Sequence, residues 1–590
     1  MRVFTREPSV AVMLYVVVFL PLHDLFGTGE SPSNRQPVSN HPSNSVSLLS
    51  FFNVPEYFMR HPIPFATLFA AFAFGILNSQ DAAAQHDPGR DAMKLLVQDK
   101  FKAGQERLAK PPKSQNSPIS EAERNFVLAI LNCKQGRQEE AIAHLQKAVT
   151  LGLPIERILA GPRDLFEPLT NDPAYAAWLS DREKPLLHGP MLSSVTDKTA
   201  QVWIRTAKPT QVNLMIHEAE GGIQPPQRFT TKTAAQDDFT GAIQIANLKP
   251  NTRYRYQLTI DGKPQTSQLN FRTMPKAGEP AKFEVGFGGG AGYTPQFNHM
   301  WTTLAKQAPA AFLMMGDNVY IDDPTHPMTQ RYCYYRRQSE PLWKSFIAST
   351  AMYSIYDDHD FGVNDCIPGP DIDEPAWKRP VWQVFKQNWN NPGFGGGEKQ
   401  PGCWYDFQIA DVHFIMLDGR YYRDKKGGSM LGPVQKTWLM NTLKKSTATF
   451  KILASPVPWS PGVKPGSKDT WDGFNDERNE IFSFVHANQI DGVVLLAADR
   501  HRSDLRRIPR KDGYAFNEVM SSRLTNVHTH GLVENAKGSE FIIGYNEKCS
   551  FGLLNFDTTA KDPTIQYTIV NIDGESVGEA TLELSQMQSR

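Results

Sequence analysis

Apolar and polar positions follow different periods in different parts of the chain. Over 86–184 the apolar residues recur at helical spacing, and within Asn125–Pro154 the residues Ala129, Gly136, Ala141, Leu145 and Ala148 fall where two antiparallel helices would meet. From 186 to 275 the period drops to two. TAQVWIRT, QVNLMIHE, AIQIANL and RYRYQLTI alternate apolar with polar residues, with turn residues between them. That pattern predicts a small antiparallel β-sandwich. A linker beginning at Met274 leads into 280–585, where short, wholly apolar strands alternate with helical stretches. Strands that apolar are covered on both faces, as in α/β domains. Beyond 506 alternation returns (TIQYTIVNI, EATLEL), which predicts added strands and a closing layer.

The apolar strands of 280–505 share a second property: each runs into a polar cluster. FEVGF leads to Gly288-Gly289-Gly290, AAFLMM to Gly316-Asp317-Asn318, MYSIY to Asp357-Asp358-His359-Asp360, VHFIML to Asp418-Gly419-Arg420, FKILA to Ser455-Pro456, and GVVLLAA to Asp499-Arg500-His501. In open α/β sheets a ligand sits beyond the carboxyl ends of the strands. Taken singly, each cluster has a structural explanation: Asp317 as a helix cap, 357–360 as a solvated turn, His501 as a core histidine, Arg420 as an ion-pair partner. Their repetition in order at strand ends specifies a site.

Composition narrows the classes. At 590 residues the chain exceeds one hydrophobic core, so several domains are expected. Lys plus Arg and Asp plus Glu are both 62, which gives none of the basic excess a nucleic-acid binder carries. The five cysteines, Cys133, Cys333, Cys366, Cys403 and Cys549, have no zinc-finger spacing and leave an odd thiol whatever pairs form. Near the amino terminus, Met59-Arg60-His61 precedes the apolar run PFATLFAAFAFGIL and small residues ending near Ala84. This is the layout of an export signal over 59–84, with 1–58 read as an over-extended start and the mature protein periplasmic or secreted. Neither this run nor residues 10–21 reaches the roughly 20 apolar residues of a membrane span, so no stable span is expected in the mature form.

Carboxylates gathered on one buried edge repel one another unless cations neutralise them. Two or more metal ions are therefore expected. Oxygen donors suit Ca, Mg or Mn, while imidazole and phenolate admit Fe or Zn. Asp317 is the expected bridging ligand, with Tyr320 a second oxygen donor three residues on. Asp358, Asn364 and the alternating Asp499-x-His501 pair complete the metal set. His359 is left to donate a proton or stabilise the transition state, and Arg420 offers a cationic fork for phosphate oxygens.

GDNVYIDD, YDDHD followed by Asn364, LDGRYYR, LGPVQKTWL, the Asp469-x-Trp471-Asp-Gly-Phe stretch before Arg478, and ADRH together resemble the ordered signature of PhoD-like (alkaline phosphatase D) phosphatases, within the calcineurin-like metallophosphatase class. The resemblance covers about 186–570. It implies a multidomain chain: an α/β metallophosphatase domain (sheet sandwich flanked by helices, 280–585), preceded by a fibronectin- or immunoglobulin-like sandwich (186–275). The helical segment (86–184) lies outside it and holds one tetratricopeptide-like unit. LKPNTRYRY over 248–256 has the form of a tyrosine corner. A solenoid needs about three repeats, so a packed helical hairpin and a groove for a protein partner are both open.

The resemblance further implies hydrolysis of phosphate mono- or diesters with calcium and iron, the metal ligands mapping to Asp317, Tyr320, Asp358, Asn364, Asp499 and His501. One departure stands out: where the family has a Cys as an iron ligand, this chain has Gly290. That argues against iron held as in the family and leaves calcium as the expected ion. Tyr293 and His299 are the nearest alternative donors in sequence. Three functions compete: a phosphoesterase, a phospholipase-D-like diesterase on the same site, and a metal-containing binding protein impaired at Gly290.

Overall fold

The computed structural model describes residues 87–589, apart from 111–118, 221–224, 465–466 and 468. The expected export signal and the over-extended start lie outside the described residues. Among the described residues no helix is long and apolar enough to cross a membrane. All five cysteines are unpaired, and all but Cys366 are buried.

Two large sheets form the centre. One has nine strands. Its middle is the parallel trio Lys282–Gly288, Ala311–Met315 and Ala351–Ile355, with Ala311 opposite both Val285 and Ala351. The other has seven strands, its middle being Val412–Met416, Phe450–Ala454, Val493–Ala497 and Phe516–Met520, again parallel. Most of these strands are buried along their whole length, as their unbroken apolar runs require. Aromatic rings join the two sheets. Tyr353 stacks on Phe407 at 3.8 Å between centroids, and Phe414 meets Phe556 edge-on at 5.9 Å.

The strands of 186–275 fall into two sheets. Leu186–Ser193, Ala200–Thr206 and Thr240–Ile245 extend the nine-stranded sheet, through a parallel pairing of Ser193 with Met352. Gln211–Glu218, Gln227–Lys232 and Arg253–Ile260 build a separate antiparallel sheet. Within this region the Tyr254 hydroxyl accepts the amide of Lys249 at 2.9 Å, which pins the corner before its strand.

The amino-terminal segment is a set of helices, chief among them the antiparallel pair Glu121–Lys134 and Gln138–Thr150. Ala129, Ala141, Leu145 and Ala148 are fully buried. Gly136 instead makes the turn between the helices, at φ +73°, where a side chain would be strained. The segment docks on helix Pro327–Gln338 through buried charges. Glu123 accepts from Arg157 at 2.9 Å and from the Tyr332 hydroxyl at 2.5 Å, while Asp87 pairs with Arg336. Buried pairs of this kind contribute little net stability, but removing one partner is costly.

Candidate metal centre

The carboxyl ends of both parallel strand sets open into one cleft, lined by Asp317, Tyr320, Asp358, His359, Asn364, Asp365, Lys464, Asp499, Arg500, His501, Asn526, His528 and His530. The cleft has a volume of about 150 Å³. Every sequence-predicted residue except Arg420 lies on its wall. Asp317, Asp499 and His501 all adopt left-handed backbone, at φ +51°, +61° and +47°. Non-glycine residues rarely sit there, and such strain concentrates where side chains must point at a ligand.

Strand ends deliver the groups, and hydrogen bonds lock the loops together. Asp357 caps the short helix Asp358–Phe361 in a capping box with Asp360. The Asp360 carboxylate also accepts the amides of Asn318 at 3.1 Å and Val319 at 2.9 Å, which ties this helix to the Asp317 loop. Burial pushes Asp360 up to about 7 against those amide bonds. The Tyr320 hydroxyl bonds Asp317 Oδ2 at 3.0 Å and His501 Nε2 at 2.8 Å, joining two strand ends 181 residues apart.

The electrostatics are those of a cation site. Burial, followed against the pull of His359 by the charges of Asp358, Asp357 and Asp360, lifts the Asp317 carboxyl well above the usual range. Asp317 Oδ1, Asp499 Oδ2, His501 Nδ1 and His528 Nε2 are buried with no hydrogen-bond partner. Buried acceptors are ordinarily satisfied, and orphans pointed into one polar cleft fit coordinated metal. Ligand atoms of Asp317, Asp358 and His359 lie within 4.8 Å of one another, and so do those of His501, His528 and His530, and of Asp358, Asp365 and Asp469.

His359 is held from behind. Its Nδ1 meets Asp322 Oδ1 at 2.5 Å, and Asp322 Oδ2 accepts from Arg90 at 2.8 Å. Arg90 belongs to the first described helix, Pro88–Leu96, and reaches the carbonyl of Tyr320 at 3.3 Å as well. The amino-terminal helices thus touch the loop that carries the centre. Burial alone would strip the proton from His359; the charges of Asp322, Asp317 and Asp358 outweigh it and raise the imidazole well above its ordinary range.

Two expectations are corrected. Arg420 is fully buried behind the cleft rather than lining it. It is ion-paired to Asp357 at 2.5 Å and Asp469 at 2.6 Å, with Asp358 at 3.5 Å, and so acts as counter-ion to the acidic loop instead of as a fork for phosphate. The cations on the cleft wall are Lys464 and Arg500. Asn364 sits exposed at the rim. Tyr293 lies under the Arg336 guanidinium at 3.6 Å and His299 is exposed on its helix, so neither serves the place left by Gly290. A Cβ on Gly290 would stand 3.2 Å from His501 Cδ2 and 3.4 Å from Nε2, against the imidazole itself.

Sequence reasoning missed Asp322, Lys464, His528 and His530. His528-Thr-His530 carried no strand-end signal: the strand before it, Phe516–Met520, holds Asn517 and Glu518, and seven residues separate it from His528.

A cleft of carboxylates, imidazoles and a phenol, set at the joined carboxyl ends of two facing sheets, is the layout of a metallophosphatase. Residues 285–567 match the family model of PhoD-like phosphatase. Residues 183–277 match a domain of unknown function, DUF7800. Alkaline phosphatase D of Bacillus subtilis (strain 168) is 30% identical over 112 residues, 15% of this chain and 19% of that protein. The chain therefore spans about a fifth of the length of this curated relative. The fold is shared with a solved structure of PhoD (TM-score 0.55, 15% identity, 66% of this chain and 91% of that one). It is shared also with purple acid phosphatase PPD1 from yellow lupin (Lupinus luteus) seeds (TM-score 0.50, 12% identity, 68% and 75%).

Proposed function

We propose that the protein is an exported, metal-dependent hydrolase of phosphate mono- or diesters, in which water attacks phosphorus. The observation that carries the reading is the convergence of Asp317, Asp358 and His359, with ligand atoms within 4.8 Å, at the carboxyl edge of both sheets. Asp317, Tyr320, Asp358, Asp499 and His501 would hold the metal ions, with Asn364 at the rim. Bound there, the ions supply Lewis acidity and lower the pKa of a water.

The chain's own groups do the rest. His359 offers its second ring nitrogen to the substrate, because Asp322 occupies Nδ1. Its raised affinity for a proton suits donation to the leaving oxygen. Lys464 and Arg500 line the same wall and would draw the phosphate anion in. Asp357, Asp358 and Asp469 are balanced by Arg420, which keeps the acidic loop from repelling that anion.

The test is Asp317→Asn, assayed with p-nitrophenyl phosphate and bis(p-nitrophenyl) phosphate across Ca, Mg, Mn, Fe and Zn, with metal content measured alongside. Hydrolysis by the wild type should vanish in the variant together with bound metal. No hydrolysis by wild type with any of these metals would overturn the reading. Unchanged turnover and metal content in the variant would remove Asp317 from it. The export part is checked by amino-terminal sequencing of the mature protein, expected to begin near Gln85.

A further inference from the structure

His501, His528 and His530 come from two separate strand ends, after Val493–Ala497 and after Phe516–Met520. Each presents a ligand nitrogen within 4.8 Å of the other two. Their rings stand 5.6 Å (501–528), 5.9 Å (501–530) and 4.5 Å (528–530) apart between centroids. Imidazoles that close, with no carboxylate hydrogen-bonded to any of them, are an unusual grouping for packing alone. His501 Nδ1 and His528 Nε2 are buried without a hydrogen-bond partner, so each has a lone pair or a proton with nowhere to go.

The loop is built against His501. Thr529, between the two loop histidines, donates its hydroxyl to the His501 carbonyl at 2.8 Å, and Asn546 Nδ2 holds the carbonyl of His530 at 3.0 Å. The His528 amide donates to Asn526 Oδ1 at 2.9 Å. Gly290 packs close to the Cδ2 edge of His501, where a Cβ would lie 3.2 Å from the ring.

We propose that His501, His528 and His530 form a tris-imidazole site for a borderline divalent metal of the zinc class, distinct in chemistry from the oxygen-rich set at Asp317 and Asp358. Neutral imidazoles suit Zn(II) and its neighbours, whereas Ca(II) and Mg(II) take oxygen ligands. A zinc ion bound by three imidazoles retains a fourth position for water or a substrate oxygen. The centre is then mixed, with nitrogen donors on one side and carboxylates on the other. The proposal rests on reading the cleft as a metal centre, but not on which ester it hydrolyses.

The test uses the full chain, stripped with chelator and titrated with Zn(II) and with Co(II), read by elemental analysis and by the visible absorption of Co(II). Wild type should bind one equivalent that Ca(II) does not displace and whose Co(II) spectrum reports nitrogen ligands. The pair His528→Gln with His530→Gln should lose that equivalent, with Zn(II) affinity falling about 100-fold or more, because even outer partners of a metal ligand cost about 10–100-fold. Should the double variant melt early, each single variant, checked for folding by circular dichroism, should show the loss in part. Equal Zn(II) stoichiometry and affinity in wild type and folded variants would overturn the site while leaving ester hydrolysis standing. Zinc bound through these imidazoles with no hydrolysis of any ester would uphold the site and overturn the enzymatic reading instead.

Discussion

Arg90→Met probes the connection between the amino-terminal helices and the centre. The guanidinium of Arg90 is buried, as is most of Asp322, and the two meet at 2.8 Å. Asp322 in turn holds His359 Nδ1 at 2.5 Å. Burial would raise Asp322, but His359 first and then Arg90 hold its carboxyl well below the usual range. Removing one partner of a buried pair costs about 3–5 kcal/mol. Asp322 keeps His359 in the variant, so the low end, about 3 kcal/mol, is the expected loss of stability. The catalytic effect is separate. With Asp322 free to turn, His359 is oriented less well, and the loss of an outer partner typically lowers activity about 10–100-fold. That corresponds to about 1.4–2.7 kcal/mol of barrier.

The assay is steady-state hydrolysis of bis(p-nitrophenyl) phosphate well below the variant's melting temperature, with metal content measured because Arg90 also bonds the Tyr320 carbonyl. Turnover should fall while KM changes little. Arg90→Lys should recover part of it, and Arg90→Met combined with Asp322→Asn should fall no further than the worse single variant, as expected of residues acting in one chain. Unchanged kcat in the folded variant, or additive losses in the double variant, would refute the coupling and leave Arg90 a purely structural residue.

His359→Ala should reduce turnover about 10²–10³-fold with metal content nearly intact; early metal loss would make His359 a ligand instead. Gly290→Cys should create a thiolate-to-metal absorption band and tighter iron binding, at a cost of about 1–2 kcal/mol because residue 290 has φ +69°. Absence of any new band with iron or cobalt would mean the added thiol faces away from the metal. The buried Asp360, raised to about 7, holds its proton more tightly when folded than when unfolded. Its contribution is thus present below about pH 4 and lost as pH rises to about 7, at most about 4 kcal/mol. Melting of the chelated protein should fall across that window, and Asp360→Asn should flatten the fall; a flat wild-type profile would contradict it.

Much of the centre was legible because a buried strand in a parallel sheet has one place to put its next polar residue. Asp317, Asp358, His359, Asp499 and His501 each follow an apolar run, and parallel pairing carries every such run to the same edge. Period two likewise announced strands in 186–275. A local pattern does not say which strand pairs with which. Only the pairing of Ser193 with Met352 joins part of that region to the central sheet. Only the insertion of Phe516–Met520 beside Val493–Ala497 brings His528 and His530 to His501, from a tail that read as a closing layer. Arg420 has the look of a phosphate fork in its own motif. Its partners Asp357 and Asp469 stand 63 and 49 residues away, and folding spends its charge on them. Arg90 and Asp322 are 232 residues apart. Periodicity is set by each residue's immediate neighbours and survives in the sequence. The pairing of buried charges and the order of strands depend on which surfaces exclude water together, and that is decided when the whole chain packs.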